Sequence, residues 1–154
     1  MIRIGVGNAI HSAAGIELRA ECSHQMNRKR IQYGQRYEEP VGQAMLTKGY
    51  NLPAKYVIHT VGPIVTGNLT DSLRKDLENC YRSVLDCCVK RRLRSVAFCC
   101  ISTGEFHFPN DEAARIAVRT VSRFLEEHEA EIDRVVFNVF KDEDRVLYEK
   151  EISE

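Results

Sequence analysis

The chain has 154 residues, 44% hydrophobic and 29% charged, a size and balance that suit one soluble globular domain. Lys+Arg and Asp+Glu both number 22, so the formal net charge is zero and the basic excess of a nucleic-acid binder is missing. No apolar run is long enough for a membrane span, and no signal-peptide pattern opens the chain. The six cysteines (Cys22, Cys80, Cys87, Cys88, Cys99 and Cys100) form no C-x-x-C pair, and both adjacent pairs fall in apolar segments. They read as reduced structural thiols of a cytoplasmic protein, with neither a disulfide frame nor a zinc knuckle.

In chain order, residues 1–6 alternate weakly and suit a short strand. Asn8 then caps a helix over about 9–28, with Ile10, Ala14, Leu18 and Cys22 on one face. Residues 27–40 are polar and read as a surface connection. Strands are expected over 42–47 and 55–61, joined by the turn chemistry of Gly49-Tyr50-Asn51-Leu52-Pro53. Thr70 suits an N-cap, and Leu73, Leu77, Cys80, Val84, Leu85 and Cys88 keep helical spacing to about Lys90. The basic cluster Lys90-Arg91-Arg92-Leu93-Arg94 complements the negative end of that helix.

Residues 95–101 (SVAFCCI) form a continuous apolar run, as expected of a strand covered on both faces. A helix opens at Pro109 and Asn110, with Ala114, Ala117, Val118, Val121 and Leu125 as its buried stripe. A last strand over 134–140 and a helix over 142–152 complete the pattern. Helices alternating with buried strands predict a three-layer α/β/α sandwich with a mixed central sheet.

The stretch Ile101-Ser102-Thr103-Gly104-Glu105-Phe106-His107-Phe108-Pro109-Asn110 is the most informative for chemistry. A strand stops at a Ser-Thr-Gly turn and a helix begins soon after. In open α/β sheets ligands collect at such strand ends. Free backbone N–H groups beside a glycine suit a phosphate or diphosphate, although a plain strand–helix connection remains the alternative. The stretch matches neither G-x-x-x-x-G-K-[ST] nor G-x-G-x-x-G, which argues against a nucleoside triphosphatase or a dinucleotide-type site.

Residues 49–63 (GYNLPAKYVIHTVGP) strongly resemble the macro-domain signature G-Y-x-L-P-x-x-x-V-I-H-T-V-G-P. Asn8-Ala9-Ile10-His11 followed by Ala14-Gly15 resembles the start of that family's first ligand-flanking helix. Residues 101–109 resemble its second phosphate-binding loop. That loop variant and the ending FNVFKDED at 137–144 resemble in particular the zinc-containing macro domains of bacterial operons that also encode sirtuins. The resemblance implies a single macro domain over 1–154, incomplete at its N-terminus, that binds ADP-ribose or a mono-ADP-ribosylated protein. It implies that Asn8 lies beside the ligand. Ser102, Thr103, Gly104, Glu105 and Phe106 would wrap the diphosphate and distal ribose, with His107 adjoining and Phe140 flanking the adenine end. Family enzymes hydrolyse ADP-ribosyl groups from proteins or process ADP-ribose derivatives.

The departures shape the expectation. No Asn-Ala-Ala-Asn-type motif or glycine-rich loop precedes Asn8, and Gly7 stands where hydrolytic members often carry Asp. Residues 1–6 offer none of the Cys and His ligands of the zinc-type members, so no metal and no cofactor are expected. In the macro fold a strand missing here lies between the 55–61 and 95–101 strands, and residues 1–6 are candidates to fill that slot. An exposed sheet edge would favour a homo-oligomer. His59 reads as a satisfied structural histidine rather than a base, while His11 stays open between the two on a helix that the resemblance places beside the ligand. Glu105 reads as an exposed loop carboxylate, and Cys99 and Cys100 are too buried for nucleophiles. Three functions remain open: an ADP-ribosyl hydrolase, a non-catalytic ADP-ribose or nucleotide binding module, and a folded fragment that binds weakly. No catalytic residue is assigned.

Overall fold

The structure is a computed structural model that describes residues 6–154. It has the α/β character expected, with five helices and four short strands among the described residues. The chain divides into two compact units, Met1–Pro40 with Met45–His59, and Val41–Ala44 with Thr60–Glu154. The strand expected over residues 1–6 falls outside the described residues, except that Val6 opens a helix.

The first unit carries α1 (Val6–Ala14), α2 (Ile16–Tyr33) and most of the strand pair β1 (Ala44–Lys48) and β2 (Tyr56–Thr60). The single helix expected over 9–28 is two helices, and Asn8 lies inside α1 rather than at its cap. The break is at Gly15, whose φ of 91° leaves the helical region that an L side chain would hold. The backbone N–H of Asn51 donates to the carbonyl of Ala14 at 3.1 Å, so the 49–53 turn caps α1.

The second helix also runs further than its polar composition suggests. Residues 27–33 stay helical because Arg, Lys and Gln are good helix formers, and Lys29 pairs with Glu39 at 2.6 Å. Gly34, at φ 112°, ends it with its N–H on the Arg30 carbonyl. Between the strands, Gly49 donates its N–H to the Lys55 carbonyl at 2.9 Å. The chain passes so close there that a Cβ on Gly49 would sit 1.9 Å from the Ala54 carbonyl oxygen.

The second unit holds α3 (Asp71–Lys90), β3 (Ser95–Phe98), α4 (Asn110–Glu127), β4 (Arg134–Phe137) and α5 (Asp142–Ser153). The hydroxyl of Thr70 accepts from the Leu73 N–H at 3.2 Å, as an N-cap should. Leu77, Cys80, Tyr81, Val84, Leu85 and Cys88 bury the inner face of α3. That face meets α4, whose buried stripe runs from Ala113 to Phe124, with Leu125 only half-buried. β3 and β4 pair in parallel, Ser95 opposite Arg134 and Phe98 opposite Phe137. Rings join the layers: Tyr81 of α3 lies 5.0 Å from Phe98 of β3, and Phe137 of β4 lies 5.1 Å from Tyr148 of α5.

The apolar run at 95–101 is not a strand covered on both faces. Only Ser95–Phe98 is extended, and Ser95 and Ala97 are exposed while Phe98 is buried. Among the described residues β3 pairs only with β4, and Val136 is exposed beside Ala97. All six cysteines are free, with Cys80 and Cys88 buried. Burial pushes the Cys88 and Cys100 thiols up to about 11, as inert structural thiols require. Among the described residues no helix is long and apolar enough to cross a membrane.

Candidate functional site

The strand end at Phe98 leads through Cys99 and Cys100 into the loop Ser102–Phe108, and α4 starts just beyond it. Two internal bonds shape this loop. The Phe108 N–H donates to the Ser102 carbonyl and the His107 N–H to the Gly104 carbonyl, each at 3.0 Å. A third bond, from the Val65 N–H to the Phe106 carbonyl at 2.9 Å, ties it to the segment after Gly62. Ser102 and His107 bracket the loop at φ 65° and 56°, a conformation that costs an L residue roughly 1–2 kcal/mol.

These constraints turn the chain so that the N–H groups of Thr103, Gly104, Glu105 and Phe106 are used by no acceptor among the described residues. Backbone donors are obligatory hydrogen-bonding groups, so four in succession call for water or an anion. Gly104 is exposed, and nothing lies within 4 Å of where its Cβ would be. Its role is therefore to leave the loop open, not to admit a close backbone neighbour inside the protein. Glu105 and His107 are exposed, Phe106 is half-buried, and Thr103 is partly covered.

Two residues outside the loop hold it. Gly62 lies against its first turn: a Cβ there would meet the Ser102 hydroxyl at 2.1 Å and Ile101 Cγ2 at 2.9 Å. The Ser102 hydroxyl is buried and has no partner among the described residues. At the other end the Asn110 side-chain amide donates to the buried carboxylate of Asp144, in the first turn of α5. The sequence signalled Gly62 only as part of the 49–63 signature, and gave no sign of the Asn110–Asp144 link. Asp111 and Glu112 already face the positive end of α4, so an anion is better served by the loop than by the helix start.

The remaining expected residues are placed separately. Phe140 lies beyond β4 and is 96% exposed, so among the described residues nothing holds it as a wall. Asn8 is exposed on α1 in the first unit.

A cluster that sequence reasoning treated as unrelated residues lies in the first unit. His11 of α1, Cys22 of α2 and His59 of β2 bring one ligand atom each to within 4.8 Å of one another. His59 Nε2 is 2.9 Å from the Thr47 hydroxyl and 3.8 Å from Cys22 Sγ. Burial, then the neighbouring His11, lowers the His59 imidazole to about 4. The helical stripe had shown Cys22, but nothing in the sequence pointed from that stripe to a strand histidine.

The comparisons with known proteins complete the picture. The Macro domain family matches residues 2–117. The chain belongs to the macro domain family. It is 45% identical over 148 residues to a protein-ADP-ribose hydrolase of Treponema medium, covering 96% of this chain and 54% of that protein. It is 44% identical to the ADP-ribose glycohydrolase MACROD1 of Rattus norvegicus, covering 96% and 53%. The chain thus spans about half the length of the curated relatives it matches.

Among solved structures, the Oceanobacillus iheyensis macrodomain with ADP superposes at a TM-score of 0.89 with 36% identity, covering 98% of this chain and 76% of that one. The Trypanosoma brucei macrodomain in complex with ADP-ribose superposes at 0.81 with 40% identity, covering 96% and 56%. The macro-domain resemblance of residues 49–63 and 101–109 is therefore borne out.

Proposed function

We propose that this macro domain binds ADP-ribose through the Ser102–His107 loop and acts on ADP-ribosylated proteins. The observation that carries the reading is the run of four backbone N–H groups, Thr103 to Phe106, unengaged among the described residues and held open by the turns at Ser102 and His107. A diphosphate offers matching acceptors, and charge-assisted bonds to backbone donors are roughly twice as strong as neutral ones. Relatives named as protein-ADP-ribose hydrolases support the substrate class. In this reading half-buried Phe106 packs on a sugar and Phe140 takes the adenine end, as the family resemblance implies.

The loop by itself supports binding more directly than hydrolysis. Its ionisable side chains, Glu105 and His107, are exposed and have no orienting hydrogen bond among the described residues. A binding module without turnover is thus the second reading. Self-association through the open sides of β3 and β4 belongs to the same proposal, as does a reducing, cytoplasmic setting supported by six free thiols.

Gly104→Val is the deciding variant. Gly104 has no positive φ, and open space surrounds its Cβ position, so the fold should tolerate the change. Calorimetry should show ADP-ribose affinity falling at least ~10-fold, about 1.4 kcal/mol. Unchanged affinity in the folded variant would remove the loop as the site. Release of ADP-ribose from mono-ADP-ribosylated protein by the parent chain separates the hydrolase from the binding module.

A further inference from the structure

We infer that His11, Cys22 and His59 form a binding site for a divalent, thiolate-accepting cation such as Zn²⁺. Its residues all belong to the first unit, and those of the ADP-ribose loop to the second.

Geometry is the first support. In a tetrahedral zinc centre with Zn–S near 2.3 Å and Zn–N near 2.05 Å, adjacent N and S ligands stand about 3.6 Å apart. Cys22 Sγ and His59 Nε2 are 3.8 Å apart, already close to that edge. All three ligand atoms lie within 4.8 Å of one another, so closure around an ion needs side-chain adjustments of at most about 1 Å, within the reach of χ rotation.

The second support is an unmet donor or acceptor. His11 is only 7% exposed, and its Nδ1 has no hydrogen-bond partner among the described residues. A buried polar atom left unpaired costs about 1–3 kcal/mol, and metal ligation would offset that cost. The two rings are tilted by 46° with centroids 6.1 Å apart, so they do not stack face to face.

Ligand chemistry selects the ion. One thiolate with two imidazoles suits zinc and excludes calcium and magnesium, which take oxygen ligands. Binding exchanges the Cys22 thiol proton for the metal and releases that proton to solvent. To bind the ion, His59 Nε2 must leave its contact with the Thr47 hydroxyl, with the ring proton on Nδ1, and the freed hydroxyl can donate to the Val57 carbonyl, 3.4 Å away. Three protein ligands leave the fourth position to water.

The test uses the full chain, stripped with chelator and titrated with Co²⁺ and Zn²⁺. One equivalent of Co²⁺ should give visible bands of tetrahedral intensity and a near-ultraviolet thiolate charge-transfer band, and Zn²⁺ should displace both. Cys22→Ser should abolish the charge-transfer band, and His11→Gln should weaken binding at least ~10-fold, since even outer-shell losses cost 10–100-fold. His24→Gln, on the exposed side of α2, should change nothing. Circular dichroism of each variant tests folding. If a variant does not fold, the parent decides by its stoichiometry and by a rise in melting temperature with Zn²⁺. A folded parent that binds no stoichiometric metal, or a charge-transfer band that survives Cys22→Ser, overturns the site.

Discussion

Replacing Gly62 by alanine tests the support of the ligand loop at its tightest point. The backbone at Gly62 is not in the left-handed region, so the substitution adds no φ strain and its effect is steric. The new Cβ would stand 2.1 Å from the Ser102 hydroxyl, where ordinary contact begins at 3.4 Å, an overlap of about 1.3 Å. Ile101 Cγ2, at 2.9 Å, must give way by about 0.5 Å as well. The hydroxyl can escape by rotating about χ1, because it holds no hydrogen bond among the described residues. Ile101 Cγ2 yields less readily, because a β-branched side chain is stiff at χ1, and any backbone shift would disturb the bond from the Phe108 N–H to the Ser102 carbonyl. Overpacking of this kind costs about 1–3 kcal/mol.

Urea unfolding should register that loss, and calorimetry should show weaker ADP-ribose binding. Adding Ser102→Gly removes the hydroxyl and suits the φ of 65°, so the double variant should recover at least ~1 kcal/mol. Parent-like stability in Gly62→Ala, or strict additivity in the double variant, would refute the reasoning.

Two further outcomes are expected in the first unit. Gly49→Ala would set a Cβ 1.9 Å from a backbone oxygen that cannot rotate away, so the loss should exceed ~4 kcal/mol, read as a collapse of the urea midpoint or as insoluble protein. In chelator, with the metal-free chain, stability should fall as pH drops from 6.5 to 4. The depressed His59 favours the neutral form in the folded state, so its contribution is present above 6.5 and is lost as the folded imidazole charges. The ceiling is about 3 kcal/mol from a displacement of about 2.5 pH units. His11 is lowered in the same sense, Cys22 lies in contact, and the Glu21 carboxylate opposes the shift. Urea unfolding at stepped pH should show this slope in the parent and a flatter one in His59→Gln; equal slopes would remove His59 as its source.

The second unit was legible wherever one residue's chemistry sets a boundary. Thr70 began α3, apolar spacing carried it to Lys90, and Pro109 and Asn110 marked the start of α4. Errors arose where tertiary contacts decide. Gly15 within a helical pattern gives no sign that Asn51 will take the Ala14 carbonyl and split the helix. The polar stretch after Asn27 stays helical partly through the pairing of Lys29 with Glu39, ten residues away. Hydrophobicity alone could not show that SVAFCCI is extended for four residues only. At the site, the loop from Ser102 to His107 was found from its residues and from the family resemblance. Its strained ends, its buried hydroxyl and its tie to Asp144 depend on neighbours distant in sequence.

The distribution of thiols makes the chain its own stability reporter. Cys22 belongs to the first unit and the other five cysteines to the second. Cys80 and Cys88 are 0% and 1% exposed along the inner face of α3, so an alkylating reagent reaches them only when that helix leaves its packing. Their labelling rate therefore counts openings of the second unit, while half-buried Cys22 is a thiol that a reagent can reach in the folded first unit. Mass spectrometry of a timed alkylation would give the local opening free energy of the second unit from one unmodified sample, without any introduced probe.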